Sequence, residues 1–159
     1  MHATFIRDDI RTVHFHEKFN LILNVFTSFG YFENDEENFS LFSNVESHLA
    51  DDGIFVFDFF NAEDVKQNLT PYSKTEIGNI VVEQKRKIEG NSVIKEIALH
   101  QKGSLKNFRE SVRLYSKEEL ITALNKSNLA IEMIFGSYTG ESFDEKSSSR
   151  LILLCKKKK

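Results

Sequence analysis

Two apolar runs separated by one amphipathic segment restrict this chain more than any other feature. Leu21-Ile22-Leu23-Asn24-Val25 and Ile54-Phe55-Val56-Phe57-Asp58-Phe59-Phe60 are continuous enough to read as strands covered on both faces. Between them, Asp35-Glu36-Glu37 suits the first turn of a helix, where negative charge complements the helix dipole. Phe39, Phe42, Val45 and Leu49 then recur at helical spacing and mark its buried face, and Gly53 reads as the stop that follows. Strand, helix and strand in this order form a βαβ unit, and in open α/β sheets a ligand sits beyond the carboxyl ends of the parallel strands. The search for a site narrows to residues 24–31 and 58–61. Gly30 lets the first of these loops turn tightly or approach a ligand with its backbone. Asp58 needs a partner or solvent, because burying an isolated charge is strongly unfavourable. It is either a ligand-side residue or a structural acceptor for loop amides.

The remaining chain reads as one domain, residues 1–159, of α/β class. Ala3-Thr4-Phe5-Ile6 favours a short strand and Arg7-Asp8-Asp9-Ile10-Arg11 a charged loop. His14 and His16 lack a third ligand at useful spacing, so no metal site is expected. Residues 62–69 suit a short helix that ends before Pro71, the only proline. Residues 80–88 and 93–100 flank Glu89-Gly90-Asn91-Ser92, which is turn chemistry, and 107–114 add another strand. This predicts an inserted antiparallel region of about three strands at about 78–115. Ser116 with Glu119 forms a capping box ahead of Leu120, Ile121 and Leu124. Residues 130–138 and 150–155 supply two final strands, joined by a polar loop long enough to reach over a site.

Composition removes several function classes. A chain of 159 residues holds one core. With 15 phenylalanines and no tryptophan, that core is built from phenyl rings. The net charge of −3 and the lack of a basic stripe argue against nucleic acid as a partner. No run approaches the roughly 20 apolar residues of a membrane span, and the charged start of the chain does not suit a signal peptide, so a cytoplasmic protein is expected. The single Cys155 reads as a small buried apolar residue, and Lys156 to Lys159 as a solvated end.

Taken together, these segments resemble the class I S-adenosylmethionine-dependent methyltransferases of the small-molecule type. The likeness rests on Phe19 through Phe32, with its Ser28-Phe29-Gly30-Tyr31-Phe32 segment, and on Leu49 through Asn61. Val112-Arg113-Leu114-Tyr115-Ser116 with Glu119-Leu120, and Ser149-Arg150-Leu151-Ile152, extend it. The family orders its sheet 3-2-1-4-5-7-6. The resemblance therefore implies an incomplete Rossmann-like methyltransferase sheet carrying equivalents of strands 3, 4, 5, 7 and 6, with an antiparallel β insertion.

On the same footing, Asp9 and Ile10 fall near the adenine end of the cofactor S-adenosylmethionine, and Asn24, Val25 and Phe26 along its methionine part. Ser28, Tyr31, Asn61 and Arg113 fall in the acceptor pocket, which the insertion caps unless it forms a dimer contact. Read without the family, Tyr31 and Phe29 are core packing, Asn61 caps the next helix and Arg113 is a solvated strand residue. The implied activity is methyl transfer to a small molecule, which needs positioning more than a strong base. His48 and His100 are the candidate bases, each with an ordinary structural alternative. The family's glycine-rich cofactor loop and the acidic residue that follows it have no counterpart, since Gly30 is the first glycine. The chain thus reads as the C-terminal portion of such an enzyme, not expected to bind cofactor or act alone. The alternative is a non-catalytic binding or scaffold domain that has lost cofactor binding. Either way the fourth strand is an open edge, expected to be covered in a homo-oligomer, in which residues 3–6 also find a new partner, or by a missing N-terminal half.

Overall fold

A computed structural model describes residues 3–159. The chain runs β1 (Phe19–Asn24), α1 (Asp35–His48), β2 (Leu49–Phe60), α2 (Ala62–Asn68), β3 (Tyr72–Ile77), β4 (Ile80–Glu89), β5 (Ser92–Gln101), β6 (Ser104–Arg113), α3 (Lys117–Lys126), β7 (Leu129–Phe135) and β8 (Arg150–Lys157). It forms two four-stranded sheets, β1-β2-β8-β7 and β3-β4-β5-β6. In the first, β1 and β2 are parallel, and β8 lies antiparallel between β2 and β7. This is the 4-5-7-6 part of the expected order. No helix among the described residues is long and apolar enough to cross a membrane.

Helix α1 begins where Asn34 accepts the Glu37 N–H at 2.8 Å, and it ends at His48, where the Leu49 amide still bonds to Val45. Gly53 is therefore not its stop. It lies inside β2, beside a register shift that pairs Phe19 with Leu49 but Leu21 with Ile54. A Cβ there would come within 2.9 Å of both the Phe19 carbonyl oxygen and Leu49 Cδ1, so only glycine permits this approach.

Phe55, Phe57 and Phe59 alternate onto one face of β2 and are fully buried. They meet Phe29 and Phe42, with Phe29–Phe57 and Phe29–Phe42 centroids 5.1 Å apart. Leu120 and Leu124 of α3, and Leu151, Leu153 and Cys155 of β8, complete this layer. Each buried phenyl or leucyl side chain contributes about 1.5–3 kcal/mol.

The expectation that β1 is covered on both faces fails. Ile22 and Asn24 turn inward, whereas Leu21 and Leu23 are 55% and 57% exposed. A continuous apolar run does not distinguish a central strand from an edge strand whose other face is open. Residues 3–6 form no strand, and Phe5 is 94% exposed. The sheet thus lacks an equivalent of strand 3, because β-formers need a hydrogen-bonding neighbour and none adjoins them.

Residues 9–15 instead run along α1. Asn44 Nδ2 donates to the Ile10 and Val13 carbonyls, and the Phe15 N–H donates to His48 Nε2 at 2.9 Å. His48 Nδ1 lies 2.8 Å from the Asn44 carbonyl and must carry a proton to bond there. These bonds give His48 a structural part, tying the segment before β1 to the end of α1.

The insertion spans residues 72–113 and has four strands, not three. The extra strand, Tyr72-Ser73-Lys74-Thr75-Glu76-Ile77, is polar and carries little periodicity of its own. The capping box is present, with the Ser116 N–H donating to Glu119 Oε2 at 2.8 Å and the Glu119 N–H to Ser116 Oγ at 3.1 Å. The lysine end is not wholly solvated: β8 continues through Lys157, and the Lys158 N–H bonds to the Asn128 carbonyl at 3.0 Å.

Candidate functional site at the carboxyl ends of β1 and β2

The chain leaves β1 through two consecutive left-handed residues, Phe26 (φ 57°) and Thr27 (φ 60°). Neither is glycine, and such conformations cost about 1–2 kcal/mol each. Asp58 holds them. Its Oδ2 accepts the Phe26 N–H at 2.7 Å, and its main-chain carbonyl accepts the Thr27 N–H at 3.2 Å. The same carboxylate is 2% exposed. Its Oδ1 accepts Arg150 Nε and Nη2 at 2.8 and 2.6 Å, and its Oδ2 also accepts the Tyr138 hydroxyl at 2.8 Å. Arg150 Nη2 further donates to Thr27 Oγ1. Asp58 is therefore the structural acceptor of the two readings, fully paired where it is buried. It ties the β1 exit to the loop between β7 and β8, and it leaves Phe26 (77% exposed) and Tyr138 (64% exposed) facing outward with ring centroids 6.4 Å apart.

Asn24, at the end of β1, is buried. Its Nδ2 donates to the Ser28 carbonyl at 3.1 Å, while its Oδ1 has no partner. A buried acceptor left unpaired costs about 1–3 kcal/mol. Asn24 lines an apolar groove of ≈ 390 Å³ along β1, together with Ile10, Phe19, Ile22, Leu41 and Val45. Ile10 also reaches Ser28 and Tyr31 across a smaller cavity of ≈ 210 Å³. Asp9 stands apart from these cavities. It pairs with Arg11 at 2.6 Å, and those hydrogen bonds lower its carboxyl to about 2.

A second, polar cleft of ≈ 790 Å³ opens between this loop and the inserted sheet. Gly30 makes the junction. Its carbonyl accepts the Arg113 N–H at 2.8 Å, and at φ 87° a Cβ would lie 3.2 Å from Val112 Cγ1 and from the Arg113 carbonyl oxygen. Tyr31 lines the cleft with Glu33, Asp35, Arg109, Glu110 and Arg113. Burial, and then the Glu110 charge, raise the Tyr31 phenol, so it stays protonated and can donate a hydrogen bond. Arg113 is not a free strand residue: it bonds to the Leu114 carbonyl at 2.7 Å and to Glu119 at 3.0 Å, and lies 3.6 Å from Asp35. Burial and the Asp35 hydrogen bond also raise the Tyr115 hydroxyl, which donates to Asp35 at 2.6 Å.

Asn61 caps α2 by accepting the Glu63 N–H, and its Nδ2 donates to the Glu145 and Ser148 carbonyls at 2.7 and 2.8 Å. Its side chain is fully engaged within the chain, so its role is to anchor the β7–β8 loop. The structure thus brings Ile10, Asn24, Ser28 and Tyr31 to connected cavities and Tyr31 to Arg113, and separates Asp9 and Asn61 from them. Val25 continues from β1, and its carbonyl accepts the Ser28 hydroxyl at 2.8 Å. Sequence reasoning missed Tyr138, Arg150 and Glu110. The unpaired Asp58 in an apolar run was the signal for Arg150, a cation opening the last apolar strand. Among the described residues no group of three His, Cys, Asp or Glu could hold a metal.

No protein-family description and no curated protein matches the sequence. Solved structures do match. An S-adenosylmethionine-dependent methyltransferase from Clostridium acetobutylicum superposes with a TM-score of 0.83 at 22% identity, over 96% of this chain and 63% of that one. The CcbJ methyltransferase from Streptomyces caelestis gives 0.79 at 14% identity, over 96% and 62%. The sugar N-methyltransferase KedS8 from a Streptoalloteichus species gives 0.70 at 12% identity, over 96% and 61%. The chain spans less than two thirds of the length of each. Its fold is that of the class I S-adenosylmethionine-dependent methyltransferases, over the part that carries the carboxyl ends of β1 and β2 and the inserted sheet.

Proposed function

We propose that this chain forms the acceptor side of an S-adenosylmethionine-dependent methyltransferase whose substrate is a small polar amine. The observation that carries the reading is the polar cleft in which Tyr31, from the exit of β1, meets Glu110 and Arg113 of the inserted sheet. Carboxylates at Glu33, Asp35 and Glu110 suit an ammonium group, and the arginines and the protonated Tyr31 suit hydroxyl or carboxylate groups beside it. Among the structural neighbours, KedS8 is a sugar N-methyltransferase and CalS10 an amino pentose methyltransferase.

The cofactor supplies a methyl group already activated on a sulfonium. What this chain contributes is alignment of the acceptor, which in a displacement of this kind supplies much of the rate. Asn24, Val25 and Phe26 would border the cofactor's methionine part, and the unpartnered Asn24 Oδ1 fits a donor there. The adenine side does not fit as well, since Asp9 is already paired with Arg11. The open edge of β1 and the apolar groove along it fit a further strand and its cover. The cofactor site is then shared with polypeptide beyond these 159 residues.

The test is a chimera with the N-terminal third of the Clostridium neighbour joined ahead of this chain, assayed with aminosugars and with their neutral hydroxyl analogues. Transfer to the amine, reduced at least tenfold in Glu110→Gln, is expected. A folded chimera that binds cofactor yet ignores amines contradicts the acceptor class. One that binds neither favours the non-catalytic binding domain.

A further inference from the structure

We infer that Lys95 is a resident competitor for the acceptor's ammonium group: it occupies Glu110 and has to be displaced before an amine binds there. The inference rests on the amine-acceptor reading and deepens it. Strand register sets up the competition. Lys95 of β5 stands directly opposite Glu110 of β6, and Arg86 of β4 stands opposite Lys95 on its other side, so the three side chains share one face of the inserted sheet. Arg86 is committed elsewhere, since its guanidinium donates to Ser73 Oγ at 3.1 Å and to Gln84 Oε1. Lys95 Nζ lies 3.3 Å from Glu110 Oε2, and among the described residues neither side chain has a second polar partner.

The other charged groups around the cleft are held more firmly or lie further out. Asp35 accepts the Tyr115 hydroxyl at 2.6 Å and faces Arg113 at 3.6 Å. Arg113 is tied to Glu119 and to the Leu114 carbonyl, and Arg109 faces Glu89 at 3.7 Å. Glu33 is exposed on its loop, where water and salt screen its pull on a cation. Glu110 is half-buried and is held by one long contact from a flexible four-carbon stem. It is the carboxylate that an incoming ammonium can take over.

A lysine ammonium on Glu110 shows which chemistry this carboxylate accepts, and it also sets a threshold. An amine that takes its place exchanges one ammonium–carboxylate contact for another, so its charge alone gains little. Binding then depends on the further hydrogen bonds that the ligand makes, such as one from a ligand oxygen to the Tyr31 hydroxyl. With 30% and 40% of the Lys95 and Glu110 side chains exposed, the pair stabilises itself by a factor of a few. Removing Lys95 lifts that competition and also removes a like charge from beside the bound amine. The exchange has a second consequence. In the wild type the number of ion pairs at Glu110 is unchanged by binding, so salt has little effect, whereas without Lys95 the amine forms a new pair that salt weakens.

The test is an NMR titration of the 159-residue chain with D-glucosamine, and with D-glucose as its neutral hydroxyl analogue. Lys95→Met is expected to bind glucosamine about threefold to tenfold more tightly than the wild type and glucose equally. Its glucosamine affinity should fall between about 0.02 M and about 0.5 M NaCl, while that of the wild type stays nearly level. Lys95→Arg keeps the charge and should show no gain. One readout needs no substitution: in the wild type the Lys95 Hε resonances should shift on adding glucosamine and not on adding glucose. Glu110→Gln separates the two readings, and should weaken glucosamine at least tenfold. If it does, but Lys95→Met gives no gain, gives the same gain for glucose, or is matched by Lys95→Arg, the role of Lys95 is overturned and the amine reading stands. Glucosamine affinity unaffected by Glu110→Gln, or no binding by any of these proteins, overturns both.

Discussion

Replacing Asp58 with asparagine probes the junction on which the candidate site depends. The carboxylate is 2% exposed and receives four donors: the Phe26 amide, the Tyr138 hydroxyl and two from Arg150. Asparagine keeps the shape but offers one oxygen, so its amide group must face a donor. If the oxygen stays toward Arg150, the Phe26 N–H loses its acceptor and the left-handed turn its anchor. If it turns toward Phe26, the amide NH2 faces the Arg150 donors, and in either orientation the guanidinium loses its counter-charge. Removing one partner of a buried ion pair costs about 3–5 kcal/mol. Arg150 keeps 19% exposure, which puts the expected loss at the lower end, about 3 kcal/mol. With a urea m-value of about 2 kcal/mol/M, the midpoint should fall by about 1.5 M. The double variant Asp58→Asn/Arg150→Met removes the stranded charge and should recover at least half of the loss in a double-mutant cycle. A single-variant loss below 1 kcal/mol, or a double variant as unstable as the two singles added, refutes the reasoning.

Ser116→Ala removes a cap whose two bonds are both formed and should cost about 1 kcal/mol in urea melts. Gly30→Ala places a side chain at φ 87°, against Val112 and Arg113. The expected cost is about 2 kcal/mol in thermal melts, from the left-handed penalty plus crowding. Burial pushes the Cys155 thiol up to about 12, so it should resist a thiol reagent at pH 8 until urea unfolds the chain. Because the folded value lies above the unfolded one, the thiol's contribution to stability is complete below pH 9. It is lost as pH rises from 9 toward 12, at about 1.4 kcal/mol per pH unit, in urea titrations across that range.

The βαβ unit was legible because its signals are local: an acidic first turn and phenylalanines at helical spacing need no knowledge of the rest of the chain. The same holds for the Ser116 capping box and the turns of the inserted hairpins. Exposure was not legible. Leu21 and Leu23 look like core residues in the sequence, and only the strand order places them on an open edge. Residues 3–6 have the composition of a strand, yet a strand exists only where a neighbour bonds to it. β3 was missed for the converse reason, since a polar edge strand is held by its partner β4 rather than by its own pattern.

In the site, Asp58 stood out because a carboxylate in an apolar run demands an explanation, and Arg150 and Tyr138 provide it from 80 and more residues away. Asn61 was readable either as a cap or as a pocket residue, and its three side-chain bonds place it as the cap and loop anchor. Glu110 carried no signal, because a glutamate on a polar strand is ordinary until the fold sets it beside Tyr31.

Calorimetry with S-adenosylmethionine and S-adenosylhomocysteine tests the central claim most directly, comparing the purified 159-residue chain with the chimera that adds the N-terminal third of the Clostridium neighbour. The account predicts no micromolar binding to the chain alone, and micromolar binding to the chimera that weakens when Asn24 is changed to leucine. Micromolar binding by the chain alone, or a folded chimera that binds neither ligand, would contradict it.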